Sequence, residues 1–312
     1  MRQMMKGNEA IAEAAVQAGC RYYFGYPITP QSEIPEYMSR RLPEVGGVFL
    51  QAESEIAAIN MVYGAAGAGA RAMTSSSSPG IALKQEGISY IAGAQLPCVV
   101  VNIVRGGPGL GSIQPAQSDY YQATRGGGHG DYRTIVLAPS SVQENADLAY
   151  LAFDLAEKYR HPVLIGSDAA IGQMVEPVEL PEMREHDINT YDWAIRPRKA
   201  GEDQKVIWNT YYTIGADAYM DYLKEKYATI EANEQRWENV QTDDAEIVLV
   251  AYGISSRVCK AAVKKARAQG IKLGLIRPIT LWPYPQKAFD ALGDQVKGFL
   301  VVEMSILGQM CD

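Results

Sequence analysis

The chain has 312 residues, of which 47% are hydrophobic and 21% are charged, and its formal net charge is −7. This length favours two domains, and the composition is that of an ordinary globular protein. The sequence has no basic cluster that would track a phosphate backbone and no apolar run near the roughly 20 residues of a membrane-spanning helix, which argues against nucleic-acid binding and membrane insertion.

The first 20 residues predict the opening helix of a cytoplasmic protein. A secretory signal would have an uninterrupted apolar core, whereas Glu9 and Glu13 interrupt this one. The cysteines are far apart and form no C-x-x-C pair; they are Cys20, Cys98, Cys259 and Cys311. We therefore expect neither a zinc site nor an iron–sulfur cluster on this chain, so that any electrons would have to be carried by a partner.

Short apolar runs alternate with helical patterns from the start of the chain to about residue 180. The predicted strands are at 21–26, 47–51, 71–75, 96–104, 133–139 and 161–168. The predicted helices are at about 8–19, 30–42, 54–69, 79–93 and 141–159. Several runs are apolar at consecutive positions, as in strands that are covered on both faces. The alternation predicts an α/β fold with a parallel sheet.

The rest of the chain predicts a polar segment and then a smaller α/β unit. Residues 183–245 are dense in charge, and we interpret them as a linker or insert, part of which has the periodicity of one long exposed helix. From residue 246 the alternation returns, with strands near 246–253, 271–279 and 297–304 and helices near 254–269 and 284–292. We therefore predict one domain at 1–182 and a second at 246–312.

Four polar or glycine-rich segments follow predicted strands of the first domain. They are YPITPQSE at 26–33, QAESEIAA at 51–58, SSSSPG at 75–80 and RGGPGLGSIQPAQSD at 105–119. Open α/β sheets bind ligands at the carboxyl ends of their strands, so we expect these segments to lie close together. Neither a Walker loop nor a G-x-G-x-x-G that opens a helix is present, and a nicotinamide dehydrogenase would need the latter after the first strand.

Two of these segments contain candidate side chains that also have a plain structural interpretation. Thr29 lies between Pro27 and Pro30, which form a stiff turn that can direct a hydroxyl at an anion or can simply connect a strand to a helix. Glu53 and Glu55 stand at a helix start, where a carboxylate either caps the helix or is buried against a partner.

Two basic side chains are further candidates. Arg105 ends a predicted buried strand, where a guanidinium suits a carboxylate or a phosphate. His129 lies among glycines in TRGGGHGDYR, and it is either a ligand contact or a surface histidine. No Ser-His-Asp order and no metal-ligand spacing is present.

Five segments in this order and spacing resemble the α subunits of the 2-oxoacid:ferredoxin oxidoreductases: GYPITPQSEIPE, QAESEIAAI, SSSSPGIAL, VNIVRGGPG and GHGDYR. The resemblance is closest to the type that acts on 2-oxoisovalerate (3-methyl-2-oxobutanoate), and it is weakest over 183–245. It implies a thiamine-diphosphate pyrimidine-binding domain followed by a domain like the C-terminal domain of transketolase. The implied reaction is oxidative decarboxylation of a 2-oxoacid with CoA to acyl-CoA, CO₂ and reduced ferredoxin.

The resemblance also implies a division of cofactors among subunits. Thiamine diphosphate would be shared with a β subunit that holds the diphosphate, its Mg²⁺ and a [4Fe–4S] cluster. A ferredoxin-like γ or δ subunit would carry further clusters, and ferredoxin and CoA would be the other partners. No metal is expected on this chain.

Carried over residue by residue, the resemblance assigns roles in the site. Glu55 matches the glutamate that hydrogen-bonds N1′ of the aminopyrimidine, because it stands nine residues before Gly64 as in the family. Thr29 and Arg105 match the threonine that contacts the 2-oxoacid and the arginine that holds its carboxylate. We assign further contacts with the cofactor or the substrate to Tyr26, Pro27, Ser76, Ser77 and His129.

The sequence departs from the family at two places. Gln31 stands where the family often has serine, and the chain ends at SILGQMCD, where family members continue with a further helix and strand. We therefore expect a second domain that is truncated at its end. Two alternatives remain: a non-catalytic scaffold subunit of such a complex, and the same chemistry on 2-oxoglutarate or pyruvate.

Overall fold

A computed structural model describes residues 2–198, 200–203 and 205–312. The strands are β1 Gln3–Lys6, β2 Tyr22–Gly25, β3 Val48–Gln51, β4 Ala72–Ser76, β5 Cys98–Val104, β6 Ile135–Leu137, β7 Pro162–Asp168, β8 Val175–Val178, β9 Trp237–Val240, β10 Ile247–Val250, β11 Leu273–Pro278, β12 Thr280–Trp282 and β13 Gly298–Val301. The helices are α1 Gly7–Gln17, α2 Glu33–Glu44, α3 Glu55–Gly67, α4 Ser78–Gly93, α5 Tyr120–Thr124, α6 Val142–Tyr159, α7 Ala169–Gln173, α8 Thr210–Ile214, α9 Ala216–Asn233, α10 Gly253–Arg267 and α11 Gln286–Asp290.

The larger sheet has seven strands in the order β12-β6-β7-β5-β4-β2-β3. All neighbours are parallel except β12, which runs antiparallel to β6. Every residue of β4 and β5 is buried, because the crossover helices cover both faces of the sheet. The α/β fold with a parallel sheet is therefore confirmed.

The predicted elements of the first 180 residues match the observed ones to within a few residues, with two corrections. The helix predicted from residue 30 begins at Glu33, because the backbone N–H of Gln31 donates to the Ile28 carbonyl at 3.2 Å and closes a turn first. The strands β1 and β8 and the short helices α5 and α7 were not predicted. The two strands pair with each other in a separate two-stranded antiparallel sheet.

The second sheet has the order β13-β10-β11-β9. The strands of the two sheets are interleaved along the chain. Strand β9 lies within the segment predicted as a linker, yet it pairs antiparallel with β11. Strand β12 follows β11 directly but joins the larger sheet. The sheets therefore do not separate at one point of the chain, and the predicted domain boundaries stay a prediction.

Buried charges join the smaller unit to the larger one. Arg277 is 2% exposed, and its guanidinium pairs with Glu144 of α6 at 2.7 Å and with Glu238 at 2.8 Å. Asp168, at the end of β7, caps α7 and also accepts the backbone N–H of Ile254 in α10 at 2.8 Å. These contacts hold the smaller unit at the carboxyl edge of the larger sheet. Within the described residues, no helix is long and apolar enough to cross a membrane.

Candidate active site

Residues Tyr26–Pro30, here called the proline turn, follow β2 at the carboxyl edge of the larger sheet. Tyr26, Pro27 and Thr29 are exposed, whereas Pro30 is buried. Side chains from elsewhere in the fold hold the backbone carbonyls of Thr29 and Pro30. The side chain of Thr29 therefore lies on the exposed face of the turn.

Arg105 connects the proline turn to the glycine-rich segment after β5. The side chain is 5% exposed; Nη1 donates to the carbonyl of Thr29 at 2.7 Å, and Nη2 donates to the carbonyl of Leu110 at 2.7 Å. The remaining nitrogen, Nε, is buried and has no hydrogen-bond partner among the described residues. The structure thus brings together two residues, Thr29 and Arg105, that are 76 positions apart.

Glu55 is the first residue of α3, and its side chain is 7% exposed, whereas Glu53 is exposed. The helix is capped by Ser54, whose Oγ accepts from the N–H of Ala57 at 3.1 Å, so the Glu55 carboxylate does not serve as the cap. This carboxylate lies against Gly80 in α4: a Cβ placed on Gly80 would be 2.7 Å from Glu55 Oε1.

The two serines at the end of β4 differ in their partners. Ser77 Oγ donates to the carbonyl of Ile103 at 2.6 Å, which ties the hydroxyl to the neighbouring strand. Ser76 Oγ is buried beside Gly80 and has no partner within the part of the chain that the structure describes. Buried polar atoms are normally hydrogen-bonded, so Ser76 Oγ and Arg105 Nε are the atoms that fit a polar ligand.

Lys84 is a residue of this region that the sequence analysis missed. It is fully buried in α4, and its Nζ donates to the backbone carbonyl of Glu55 at 3.3 Å. Burial lowers the pKa of Lys84 to about 8, although the negative charge of Glu55 opposes the shift. The signal was present in the sequence, because Lys84 shares the helical spacing of Ile81, Ile88 and Ile91, which line the buried face of α4.

His129 lies at a different place from Glu55, Thr29 and Arg105. It is exposed and lines a cleft of about 410 Å³ together with Ser89 of α4 and residues of the 209–223 segment. The described lining residues of that cleft do not include the other three. The predicted substrate contact of His129 stays a prediction.

The four cysteines are free thiols, and Cys311 alone among them is exposed. Over residues 2–198, 200–203 and 205–312, no group of three or more His, Cys, Asp or Glu side chains is arranged to hold a metal ion.

Two family models match the chain. Residues 13–242 match the thiamine-diphosphate-binding domain of pyruvate flavodoxin/ferredoxin oxidoreductase, and residues 245–312 match core domain II of pyruvate:ferredoxin oxidoreductase. Together the two matches cover nearly the whole chain.

Two similar proteins are also close to this chain in length. The ketoisovalerate oxidoreductase subunit VorB of Methanothermobacter thermautotrophicus is 56% identical over 311 residues, which are 99% of this chain and 87% of that protein. The 2-oxoglutarate synthase subunit KorA of Methanocaldococcus jannaschii is 40% identical over 332 residues, 99% of this chain and 89% of that protein.

Among solved structures, the 2-oxoglutarate:ferredoxin oxidoreductase from Magnetococcus marinus, with 2-oxoglutarate, coenzyme A and succinyl-CoA bound, has a TM-score of 0.87 and 28% identity. The alignment covers 99% of this chain and 59% of that one, so this chain spans about three-fifths of it. A split-gene transketolase, in the form of an inactive tetramer, has a TM-score of 0.59 and 13% identity to this chain. The alignment covers 97% of this chain and 81% of that one, and it shows a shared fold alone.

Proposed function

The chain belongs to the pyruvate flavodoxin/ferredoxin oxidoreductase family, and on that premise we propose that it is the α subunit of a thiamine-diphosphate-dependent 2-oxoacid:ferredoxin oxidoreductase. The complex oxidatively decarboxylates a 2-oxoacid with CoA to acyl-CoA, CO₂ and reduced ferredoxin. The observation that carries this proposal is the hydrogen bond by which Arg105 reaches Thr29 at the sheet edge, with a buried polar nitrogen, Nε, still unpaired among the described residues.

The residues of this chain suit the aminopyrimidine half of the cofactor. The buried carboxylate of Glu55 and the hydroxyl of Ser76 both approach Gly80 so closely that a side chain there would overlap them. Thiamine diphosphate, when bound, supplies the carbanion chemistry that removes CO₂ from a 2-oxoacid. Glu55 would hold N1′ by a hydrogen bond and share its proton, with Tyr26, Pro27, Ser76 and Ser77 as further contacts.

Thr29 and Arg105 position the substrate in this proposal. The hydroxyl of Thr29 would contact the 2-oxoacid, and the guanidinium of Arg105 would hold its carboxylate through a charge-assisted hydrogen bond. Arg105 already uses Nη1 and Nη2 on the carbonyls of Thr29 and Leu110, so Nε is the donor that faces no described partner. Holding the acid in one orientation lowers the entropic part of the barrier.

The substrate we propose is 2-oxoisovalerate. The 56% identity to a ketoisovalerate oxidoreductase subunit, against 40% to a 2-oxoglutarate synthase subunit, supports it. We further propose that a β subunit completes the site with Mg²⁺ and a [4Fe–4S] cluster, that a γ or δ subunit passes electrons to ferredoxin, and that the complex is cytoplasmic.

The test is to co-express the chain with its neighbouring subunits and to measure CoA-dependent reduction of a viologen dye with 2-oxoisovalerate, 2-oxoglutarate and pyruvate. We expect the largest kcat/KM with 2-oxoisovalerate. No reduction with any of the three acids, with full-length partners present, would reject the enzymatic function and favour a scaffold role. Glu55→Gln should abolish turnover without preventing assembly, since an amide cannot share the N1′ proton.

A further inference from the structure

A ring of hydrogen bonds fixes the end of the proline turn from below. The side-chain amide of Asn8, in α1, donates to the carbonyl of Pro30 at 2.8 Å and to Glu33 Oε2 at 2.7 Å. The amide of Gln173, the last residue of α7, donates to the same two oxygens, each at 2.9 Å. Both lone pairs of one carbonyl are therefore used by side chains that lie 22 and 143 positions away.

This arrangement determines where Thr29 lies. The threonine side chain is exposed, so its position depends on the backbone on either side of it. Arg105 holds the carbonyl of Thr29 itself, and the two amides hold the next carbonyl, that of Pro30. The carbonyls of Thr29 and Pro30, which follow each other along the backbone, are thus held by side chains from three separate parts of the fold.

Gln31 fixes the beginning of the turn in the same manner. This residue is fully buried; its Nε2 donates to the carbonyl of Tyr26 at 3.3 Å, and its Oε1 accepts from Ser75, which is bonded to the hydroxyl of Tyr23 at 2.6 Å. The glutamine that departs from the family pattern therefore lies beneath the turn and does not face the exposed side.

We propose that Asn8 and Gln173 are positioning residues that orient the Thr29 hydroxyl toward the 2-oxoacid through the carbonyl of Pro30. The inference rests on the proposed function. A purely structural role, in which the amides only anchor Glu33 at the start of α2, is the competing explanation. The two can be separated because Lys6 also binds Glu33, with Nζ 3.0 Å from Oε1, but does not contact Pro30.

Gln173→Ala is the informative variant, because Gln173 is exposed and its truncation leaves the core intact. In the reconstituted complex we expect the KM for 2-oxoisovalerate to rise about threefold to tenfold, the effect of losing the hydrogen bond to the Pro30 carbonyl, with the KM for CoA unchanged. Asn8→Ala should act in the same direction, and the Gln173 variant carries the test if the buried Asn8 variant does not fold. Gln173→Lys keeps N–H donors at this place and should restore much of the affinity.

Lys6→Met is the matched control, since it removes a contact with Glu33 and leaves the carbonyl of Pro30 untouched. It should leave the KM for 2-oxoisovalerate as in the wild type. A readout independent of turnover is hydrogen–deuterium exchange of the peptide that covers residues 24–34: exchange should become faster in Gln173→Ala than in Lys6→Met.

An active complex in which Gln173→Ala has the wild-type KM, or lowers only kcat, overturns the inference alone. A rise in KM of equal size in Lys6→Met also overturns it, since the effect would then act through Glu33 and α2. A wild-type complex that reduces no dye with any 2-oxoacid overturns the proposed function, and the inference with it.

Discussion

Gly80→Ala tests the positions of the Glu55 carboxylate and the Ser76 hydroxyl without replacing either group. The new Cβ would overlap Ser76 Oγ and would lie 2.7 Å from Glu55 Oε1, whereas ordinary van der Waals contact begins near 3.4 Å. The Ser76 hydroxyl therefore has to move, and the Glu55 carboxylate has to retreat by about 0.7 Å. Errors in placement of about 1 Å can cost about 100-fold in rate. We therefore expect kcat/KM to fall about 10- to 100-fold and the affinity for thiamine diphosphate to fall with it.

Stability should fall by no more than about 2 kcal/mol, because two effects oppose each other. Alanine is favoured over glycine in a helix by about 1 kcal/mol, while overpacking a buried contact costs about 1–3 kcal/mol. Gly64→Ala in α3 isolates the first effect, since a Cβ there would have no described heavy atom within 4 Å apart from its chain neighbours and the backbone of its own helix. We expect that variant to raise the free energy of unfolding by about 0.5–1 kcal/mol in a denaturant titration.

The assay is a titration of the reconstituted complex with thiamine diphosphate, followed by viologen reduction at saturating substrate. If Gly80→Ala binds the cofactor with wild-type affinity and keeps wild-type turnover, the Glu55 carboxylate is not held where the cofactor needs it. The geometric argument would then be refuted.

Three further variants test other parts of the structure. Arg105→Lys replaces a planar guanidinium, which donates from several nitrogens, with a single ammonium. The KM for the 2-oxoacid should rise at least tenfold in steady-state kinetics, the effect of about 1.5–3 kcal/mol, and a change under twofold would contradict the role. Asp168→Ala removes an acceptor shared by α7 and Ile254, and the free energy of unfolding should fall by about 1–3 kcal/mol; an unchanged denaturation midpoint would contradict this. Burial, and to a smaller extent the charge of Arg160, lowers the pKa of Lys226 from 10.5 to about 7. Between pH 7 and pH 10.5 the unfolded chain therefore binds a proton that the folded chain has released, and the free energy of unfolding should rise with pH. Lys226→Met should lack that part of the rise when unfolding is measured at pH 6.5 and pH 9; equal slopes in both proteins would contradict the burial of this ammonium.

The sequence by itself determined the order of strands and helices in the larger unit. Strands covered on both faces carry consecutive apolar residues, and this local pattern predicted β2 to β7 and the helices between them, except the short α5, to within a few residues. It also predicted that the segments containing Thr29 and Arg105 would lie close together, because the carboxyl ends of parallel strands lie along one edge, and the hydrogen bond between the two residues agrees with this.

Tertiary structure alone decided which distant groups complete each contact. The antiparallel strands β9 and β12 are short, and their pairing with strands far along the chain leaves no periodic signal in the sequence. Nothing local links Asn8 and Gln173 to Pro30, since each is an ordinary polar residue of its own helix until the fold brings the three together.

The same division applies to the charged residues. Lys84 and Lys226 are typical surface residues by composition, yet both are buried, because helical spacing and packing turn them inward. A sequence specifies which side chains are present and which face of a helix or strand they share. The packing of that face against other elements decides whether a charge meets water, a partner or a ligand, and that depends on the whole chain.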